Sequence, residues 1–387
     1  MLRKRQVALA FGFDEQHMAR CLHGVLDYAR ERGNWSFCFS PEISHPSVLD
    51  LQHFPGDGII TQVETPAELA AVRRMNRPIV NLSGRVRTPS IPRVMVDQEA
   101  VGRIAAEHLL ERGLRRFAYY GVRGVWFSTQ RGRGFVERIK RERYECSVLV
   151  APNSLQVRQR SDNWVQQLER WLRTLTPPVG VMACLDARAA VVIDACDRLR
   201  LRVPEDIAVI GVDNNSVTCE LCHVPLSSVS RSGYEVGREA AKLLDSLMAG
   251  KKPPRHDTLL PPDGVVQRRS TDMMAVEDPY VATAVQYVRE HAHESFGVKQ
   301  LLSVVPISRR WLTKRFQDTL GMTPHEFIAR TRVQKAALLL TDRHRHLPLN
   351  RIAQECGFTD TRRFRIVFER AMNATPQQYR QSDLRYR

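Results

Sequence analysis

The chain has 387 residues, 43% hydrophobic and 26% charged, which suits two or three globular domains and excludes a collagen, a largely disordered chain or a polytopic membrane protein. Lys and Arg number 58 against 42 Asp and Glu, a formal net charge of +16. From residue 280 onward there are 19 basic and 9 acidic residues, a net +10, leaving only +6 for the first 279. A small cationic domain on a larger, nearly balanced one is therefore expected, and such charge points toward a polyanion.

The N-terminus has no export pattern. Leu2-Arg3-Lys4-Arg5 precedes a short apolar run, Val7–Phe11, and Asp14-Glu15 follow without a small-residue cleavage site. The run is too short to span a bilayer and reads as a buried first strand in a cytoplasmic protein. Eight scattered cysteines then read as free thiols. Cys219-Glu220-Leu221-Cys222-His223 matches the haem c attachment string, but that chemistry follows export, so neither haem nor metal is expected.

Up to about residue 270, apolar runs alternate with amphipathic helix-length segments. Val7–Phe11, Trp35–Phe39, Gly58–Thr61, Pro78–Leu82, Arg93–Val96, Phe117–Tyr120, Ser147–Val150, Val179–Cys184 and Ile207–Val212 read as strands. Between them, helices are predicted over His17–Arg32, Pro66–Met75, Glu99–Arg112, Arg131–Arg143, Trp164–Leu175 and Ala187–Leu199, with Tyr234–Met248 after the last strand. This βα alternation predicts parallel sheets covered by helices, and its length suits two lobes.

Ligands of open parallel sheets bind beyond the carboxyl ends of the strands. Asp14, Asp97, Asp186, Arg188, Asp213, Asn214 and Asn215 all follow apolar runs, and Arg131 opens a predicted helix. Carboxylates, amides and one or two Arg suit a neutral polyol, because carboxylates accept from hydroxyls and Arg donates in a planar fork. Trp126 offers a face for a sugar ring. Any single aspartate is more simply a helix N-cap, while the set together favours a cleft. No glycine-rich phosphate loop and no catalytic set stands out, so no enzyme activity is expected.

Val203–Asn215 (VPEDIAVIGVDNN), Leu226–Val229 (LSSV) and Arg268–Thr271 (RRST) resemble the periplasmic-binding-protein-like sensor core of LacI/GalR-type regulators. The resemblance implies two Rossmann-like lobes, a sugar in the cleft and a homodimer. By motif, Arg131 matches the family's ligand-binding Arg, Asp213 its ligand-binding acid, and Asp186 its polar position in a motif where Leu185 replaces the usual Asn. Near the start of the first helix, where relatives carry an aromatic and an Arg, this chain has His17-Met18-Ala19-Arg20.

Residues 272–278 read as a linker between a sensor over 1–271 and an all-α domain over 279–387. Two helix-turn-helix units are expected there. In the first, Pro306-Ile307 breaks a helix over Val298–Val305 and Ser308 caps the next. That helix turns Leu312 and Phe316 inward with Trp311, leaving Arg309, Arg310, Thr313 and Lys314 outward. In the second, Gly357 supplies the turn after Leu349–Cys356. Phe364, Val367 and Phe368 point inward, and Thr361, Arg362, Arg365 and Ile366 outward. A long helix, Pro324–Leu340, joins the units. Cationic faces on capped helices fit the major groove of double-stranded DNA.

Ile352-Ala353-x-x-x-Gly357-Phe358, Phe364-x-x-x-Phe368 and Thr375-Pro376-x-x-Tyr379-Arg380 are similar to the AraC-type signature. Resemblance to regulators that join these two domains implies a sugar-responsive transcription factor, with D-xylose the effector to expect and a different pentose or another sugar the alternative, activation the expected mode and repression its alternative, and RNA polymerase a partner. A transport-type solute-binding protein or a sugar-converting enzyme on the same two-lobed fold remains the alternative.

Overall fold

The computed structural model describes residues 4–12, 15–38, 46–88, 90–152, 162–273, 278–341, 347–372 and 374–385. The chain separates into two compact units, Met1–Met273 and Met274–Arg387.

The first lobe of the first unit is built from β1 (Arg5–Ala10), α1 (Gln16–Arg32), β2 (Trp35–Cys38), β3 (Gly58–Thr61), α2 (Pro66–Arg74), β4 (Ile79–Asn81) and β5 (Val94–Val96). The second lobe follows with α3 (Gln98–Leu110), β6 (Phe117–Val122), α4 (Trp126–Arg141), β7 (Cys146–Ala151), α5 (Asp162–Thr174), β8 (Val179–Ala183), α6 (Asp186–Arg198), β9 (Ile207–Val212), α7 (Ser216–Leu221) and β10 (Ser227–Ser230). The chain then returns to the first lobe with α8 (Gly233–Met248) and β11 (Thr258–Leu260), and ends in the second with β12 (Gly264–Val266).

The first-lobe sheet is parallel in the order β2-β1-β3-β4, with β11 pairing β5 beside it. The second-lobe sheet runs β12-β10-β9-β8-β6-β7 and is parallel except for the antiparallel β12. Continuous apolar runs suit strands covered on both faces, and β1, β6, β8 and β9 are buried along most or all of their length. Helices α3 and α4 cross at very close range. A Cβ on Gly102 would lie 2.0 Å from the carbonyl oxygen of Arg131, and one on Gly134 2.1 Å from that of Glu99. Only glycine permits this approach, which seats Arg131 against the sheet.

The first unit departs from the sequence expectation in places. The helix expected to open at Arg131 begins five residues earlier, at Trp126. The short α7, the serine-rich β10 and the short strands β11 and β12 were not anticipated as elements. β10 is buried although polar, because Ser227 donates to the Arg268 carbonyl and Ser228 to Asp186.

The second unit holds α9 (Pro279–His291), α10 (Val298–Val304), α11 (Arg309–Leu320), α12 (Pro324–Thr341), α13 (Leu349–Glu355), α14 (Thr361–Met372) and α15 (Pro376–Arg385). It has two small cores. Val281, Val288, Leu301, Leu312 and Phe316 form one with Phe327 and Ile328 from the first half of α12. Ile352, Phe358, Phe364 and Phe368 form the other with Val333, Ala336 and Leu340 from its second half. One helix thus supplies both cores from successive turns, which fixes the two helix-turn-helix units to a common axis. Ser308 caps α11 by accepting from the Trp311 amide at 3.3 Å, and Gly357 takes the left-handed turn at φ 69°. Trp311 does not join the core as expected. It is 55% exposed, on the flank of α11 beside Lys314 and Arg315.

Candidate functional site

A cavity of about 340 Å³ opens between the lobes at the carboxyl ends of the strands. Its first-lobe wall comes from Glu15–Met18 at the head of α1, from Gln62 and Glu64 after β3, and from Leu82–Arg85 after β4. Its second-lobe wall comes from Phe127 and Arg131 on α4, Leu185–Ala187 at the head of α6, and Asp213, Asn215 and Thr218; Arg231 follows β10.

Arg131 is fully buried. Its Nε donates to Gln98 Oε1 at 2.7 Å and its Nη1 to the Cys184 carbonyl at 2.5 Å, while the Phe127 ring lies 4.7 Å from its guanidinium carbon. Its Nη2 stands 3.7 Å from Asp213 Oδ1, and among the described residues neither atom has a hydrogen-bond partner. Burial lowers the Arg131 pKa and the Asp213 charge opposes that shift. Asp213 has a left-handed backbone, φ 115°, unusual for an aspartate, held by a bond from its amide to the Val229 carbonyl at 3.0 Å. Arg231 Nε lies 2.8 Å from the same Oδ1, within ion-pair reach but without hydrogen-bond alignment. Buried polar atoms usually find hydrogen-bond partners, so three of them left without one on one wall of the cavity suit a polar ligand.

Asp186 lines the cleft but is already engaged. Its Oδ1 accepts from Ser228 Oγ at 2.6 Å and its Oδ2 from the Asn215 amide at 2.8 Å. Burial, then the neighbouring Asp213 charge, pushes its carboxyl up to about 7. Buried His17 is held well below its usual pKa by desolvation and then by Arg231, Arg131 and Arg20, so it presents a neutral ring to the cleft. Gln16 Oε1 accepts from the Ser216 amide at 2.8 Å, one of the ties between the lobes.

The other expected ligand residues stand elsewhere. Asp97 is the N-cap of α3, its Oδ1 accepting from the Glu99 and Ala100 amides, and is not on the cavity wall. Asn214 is turned aside to accept from Arg268 Nη2 at 2.8 Å, and its neighbour Asn215 lines the cleft instead. Trp126 is likewise replaced on the wall by Phe127. Asp14 lies outside the described residues. Sequence reasoning missed Arg231, although it follows β10 just as Asp213 follows β9. It also missed Gln98, which orients Arg131.

In the second unit, Arg309, Arg310, Thr313 and Lys314 line a shallow concavity with Gln317 and Asp318. On α14, Arg362 and Arg365 are exposed, Thr361 is half-buried, and Ile366 is 59% exposed. An apolar side chain kept in water on an otherwise cationic face invites a partner. No helix among the described residues is long and apolar enough to cross a membrane, and no cluster of His, Cys, Asp and Glu among them could hold a metal.

A polar interlobe cleft carried on one chain with a tandem helix-turn-helix unit defines a ligand-responsive transcription regulator. Residues 106–271 match the family model of a periplasmic binding protein-like domain, and residues 301–382 that of a helix-turn-helix domain. The chain is 33% identical to the xylose operon regulatory protein of Escherichia coli, over 98% of this chain and 97% of that one. It is 28% identical to the protein of the same name from Haemophilus influenzae, over 97% and 98%. A solved structure of the xylose-binding transcription activator xylR is similar over 98% of this chain and 99% of that chain, with 32% identity and a TM-score of 0.69. The chain belongs to the xylose operon regulatory protein family, whose members are transcription regulators with an AraC-type DNA-binding domain.

Proposed function

We propose that the cleft binds D-xylose and that the occupied protein activates transcription of a sugar-catabolic operon. The observation that carries this reading is the facing of Arg131 Nη2 and Asp213 Oδ1, 3.7 Å apart and neither of them hydrogen-bonded among the described residues. One sugar hydroxyl placed about 2.8 Å from each accepts from the guanidinium and donates to the carboxylate at once. The cavity volume, at the small end of the ~300–1,000 Å³ usual for ligand pockets, suits a monosaccharide. The names of the full-length relatives support xylose among monosaccharides.

Arg310, Thr313 and Lys314, flanked by Arg309, read one stretch of major groove. Thr361, Arg362, Arg365 and Ile366 read the next, about one helical turn or ~34 Å away. The protein works in the cytoplasm as a homodimer on repeated half-sites and contacts RNA polymerase there. Sugar influences DNA binding through its preference for one arrangement of the lobes. Calorimetric titration of the full chain with D-xylose, L-arabinose and D-glucose tests the effector. D-xylose is expected to bind most tightly, and no heat from any pentose would overturn the assignment.

A further inference from the structure

Helix α4 starts without a cap of its own. Val125 stands at its N-cap position and makes no side-chain cap bond. The first amides of a helix need acceptors, usually from Ser, Thr, Asp or Asn at that place. Here the Trp126 amide donates to the Arg85 carbonyl and the Phe127 amide to the Gly84 carbonyl, both at 3.0 Å. Those carbonyls belong to the loop after β4 in the first lobe, whereas α4 packs on α3 and β6 in the second. The helix is therefore capped by the opposite lobe.

A side-chain stack reinforces the same seam. The Arg93 guanidinium carbon lies 4.3 Å from the centre of the Trp126 ring. Arg93 is only 2% exposed and is anchored within the first lobe, by Asp257 Oδ2 at 2.5 Å and by the Val86 carbonyl at 3.1 Å. Trp126 comes from the second lobe and closes over it. Phe127, the next residue, packs on Arg131, so the seam leads directly to the polar couple of the cleft.

We propose that Arg93 and Trp126 are positioning residues for sugar binding, a latch between the lobes that holds the first turn of α4, and through Phe127 the guanidinium of Arg131, in place for the ligand. The inference rests on the cleft being the sugar site. Trp126 is not on the cavity wall and so acts only through its neighbours. Its stack and the two carbonyl caps exist only with the lobes together, so latch and sugar favour each other.

The test measures D-xylose affinity by calorimetry on the full chain for wild type, Trp126→Phe, Trp126→Leu, Arg93→Lys and the Arg93→Lys/Trp126→Leu double variant, with the melting temperature of each sugar-free protein recorded. Loss of a desolvated cation–π stack predicts affinity weakened on the order of tenfold for Trp126→Leu, with Trp126→Phe retaining most of it. The double variant is expected to be little weaker than Trp126→Leu alone, because the planar stack that Arg93→Lys gives up is already gone once the Trp126 ring is removed. General destabilisation would lower the melting temperature but would not produce that non-additivity. Should Trp126→Leu fail to fold, Arg93→Lys, which keeps a cation beside Asp257, carries the test against wild type. Wild-type affinity in Trp126→Leu or in Arg93→Lys, equal loss in the Phe and Leu variants, or simple additivity overturns the latch alone. A wild-type protein that binds no sugar overturns the functional reading, and the latch with it.

Discussion

Replacing Arg131 by Lys tests the cleft chemistry with the charge retained. Arg131 sends three nitrogens in three directions: Nε to Gln98, Nη1 to the Cys184 carbonyl, and Nη2 toward the space beside Asp213. A lysine offers one nitrogen and no planar fork, so it cannot hold the protein contacts and also serve the ligand. A hydrogen bond to a charged donor contributes about 1.5–3 kcal/mol, equivalent to roughly 10- to 150-fold in affinity. At D-xylose about 100 times the wild-type Kd, bound sugar stabilises the folded protein by about 2.7 kcal/mol. A variant weakened about 30-fold, at the same concentration, gains only about 0.9 kcal/mol by the same relation. Thermal-shift assays with and without sugar therefore show a shift cut to about a third. An Arg131→Lys protein with the full wild-type shift would refute the placement of a hydroxyl between Nη2 and Oδ1.

Arg310→Ala is expected to cost about 1–3 kcal/mol at one base position, checked by gel shift on single-base operator variants; equal weakening on every sequence would make Arg310 a phosphate contact instead. Gly357→Ala puts a Cβ 2.4 Å from the Glu294 carbonyl oxygen and strains a left-handed residue. The backbone strain alone costs about 1–3 kcal/mol, so DNA binding and denaturant resistance of the second unit should fall while sugar binding persists. His108 bonds Thr271 Oγ1 at 2.8 Å and is pushed down to about 3 by burial and then by the Arg112 charge. The unfolded chain takes up that proton near 6.5, so the stability His108 contributes is present above that pH and is lost as pH falls toward 3. The stability advantage of wild type over His108→Gln should shrink across that window in denaturant titrations, and a constant difference would contradict this.

The alternation of continuous apolar runs with amphipathic segments made the two-lobed α/β class legible, because buried parallel strands leave that trace. Ile207–Val212 emerges with the same bounds in the structure. β10 left no such trace, since its buried serines are satisfied by bonds to Asp186 and Arg268 that no local pattern announces. The start of α4 was hidden for the opposite reason: its cap comes from residues some forty positions away.

The same limit governs the site. The rule of strand carboxyl ends brought out Arg131, Asp186 and Asp213, which do line the cleft, but it cannot tell a lining aspartate from the N-cap Asp97. Nor can it resolve one-residue choices such as Asn215 over Asn214 or Phe127 over Trp126, which depend on tertiary partners such as Arg268 and Arg93. Trp311 misled because amphipathic spacing credits every large apolar residue to the core, whereas this one lies over Lys314 and Arg315 in solvent.

In the proposed mechanism, occupancy of the interlobe cleft governs the grip of the tandem helix-turn-helix unit on DNA. The most direct test is fluorescence anisotropy of the full-length protein on its own promoter DNA, titrated at fixed salt with and without saturating D-xylose. Differential affinity for the two lobe arrangements predicts tighter binding with sugar, by about 5- to 150-fold for a coupling of ~1–3 kcal/mol, and reciprocally tighter sugar binding with DNA present. Identical curves in the two conditions, from protein shown to bind the sugar, would contradict it.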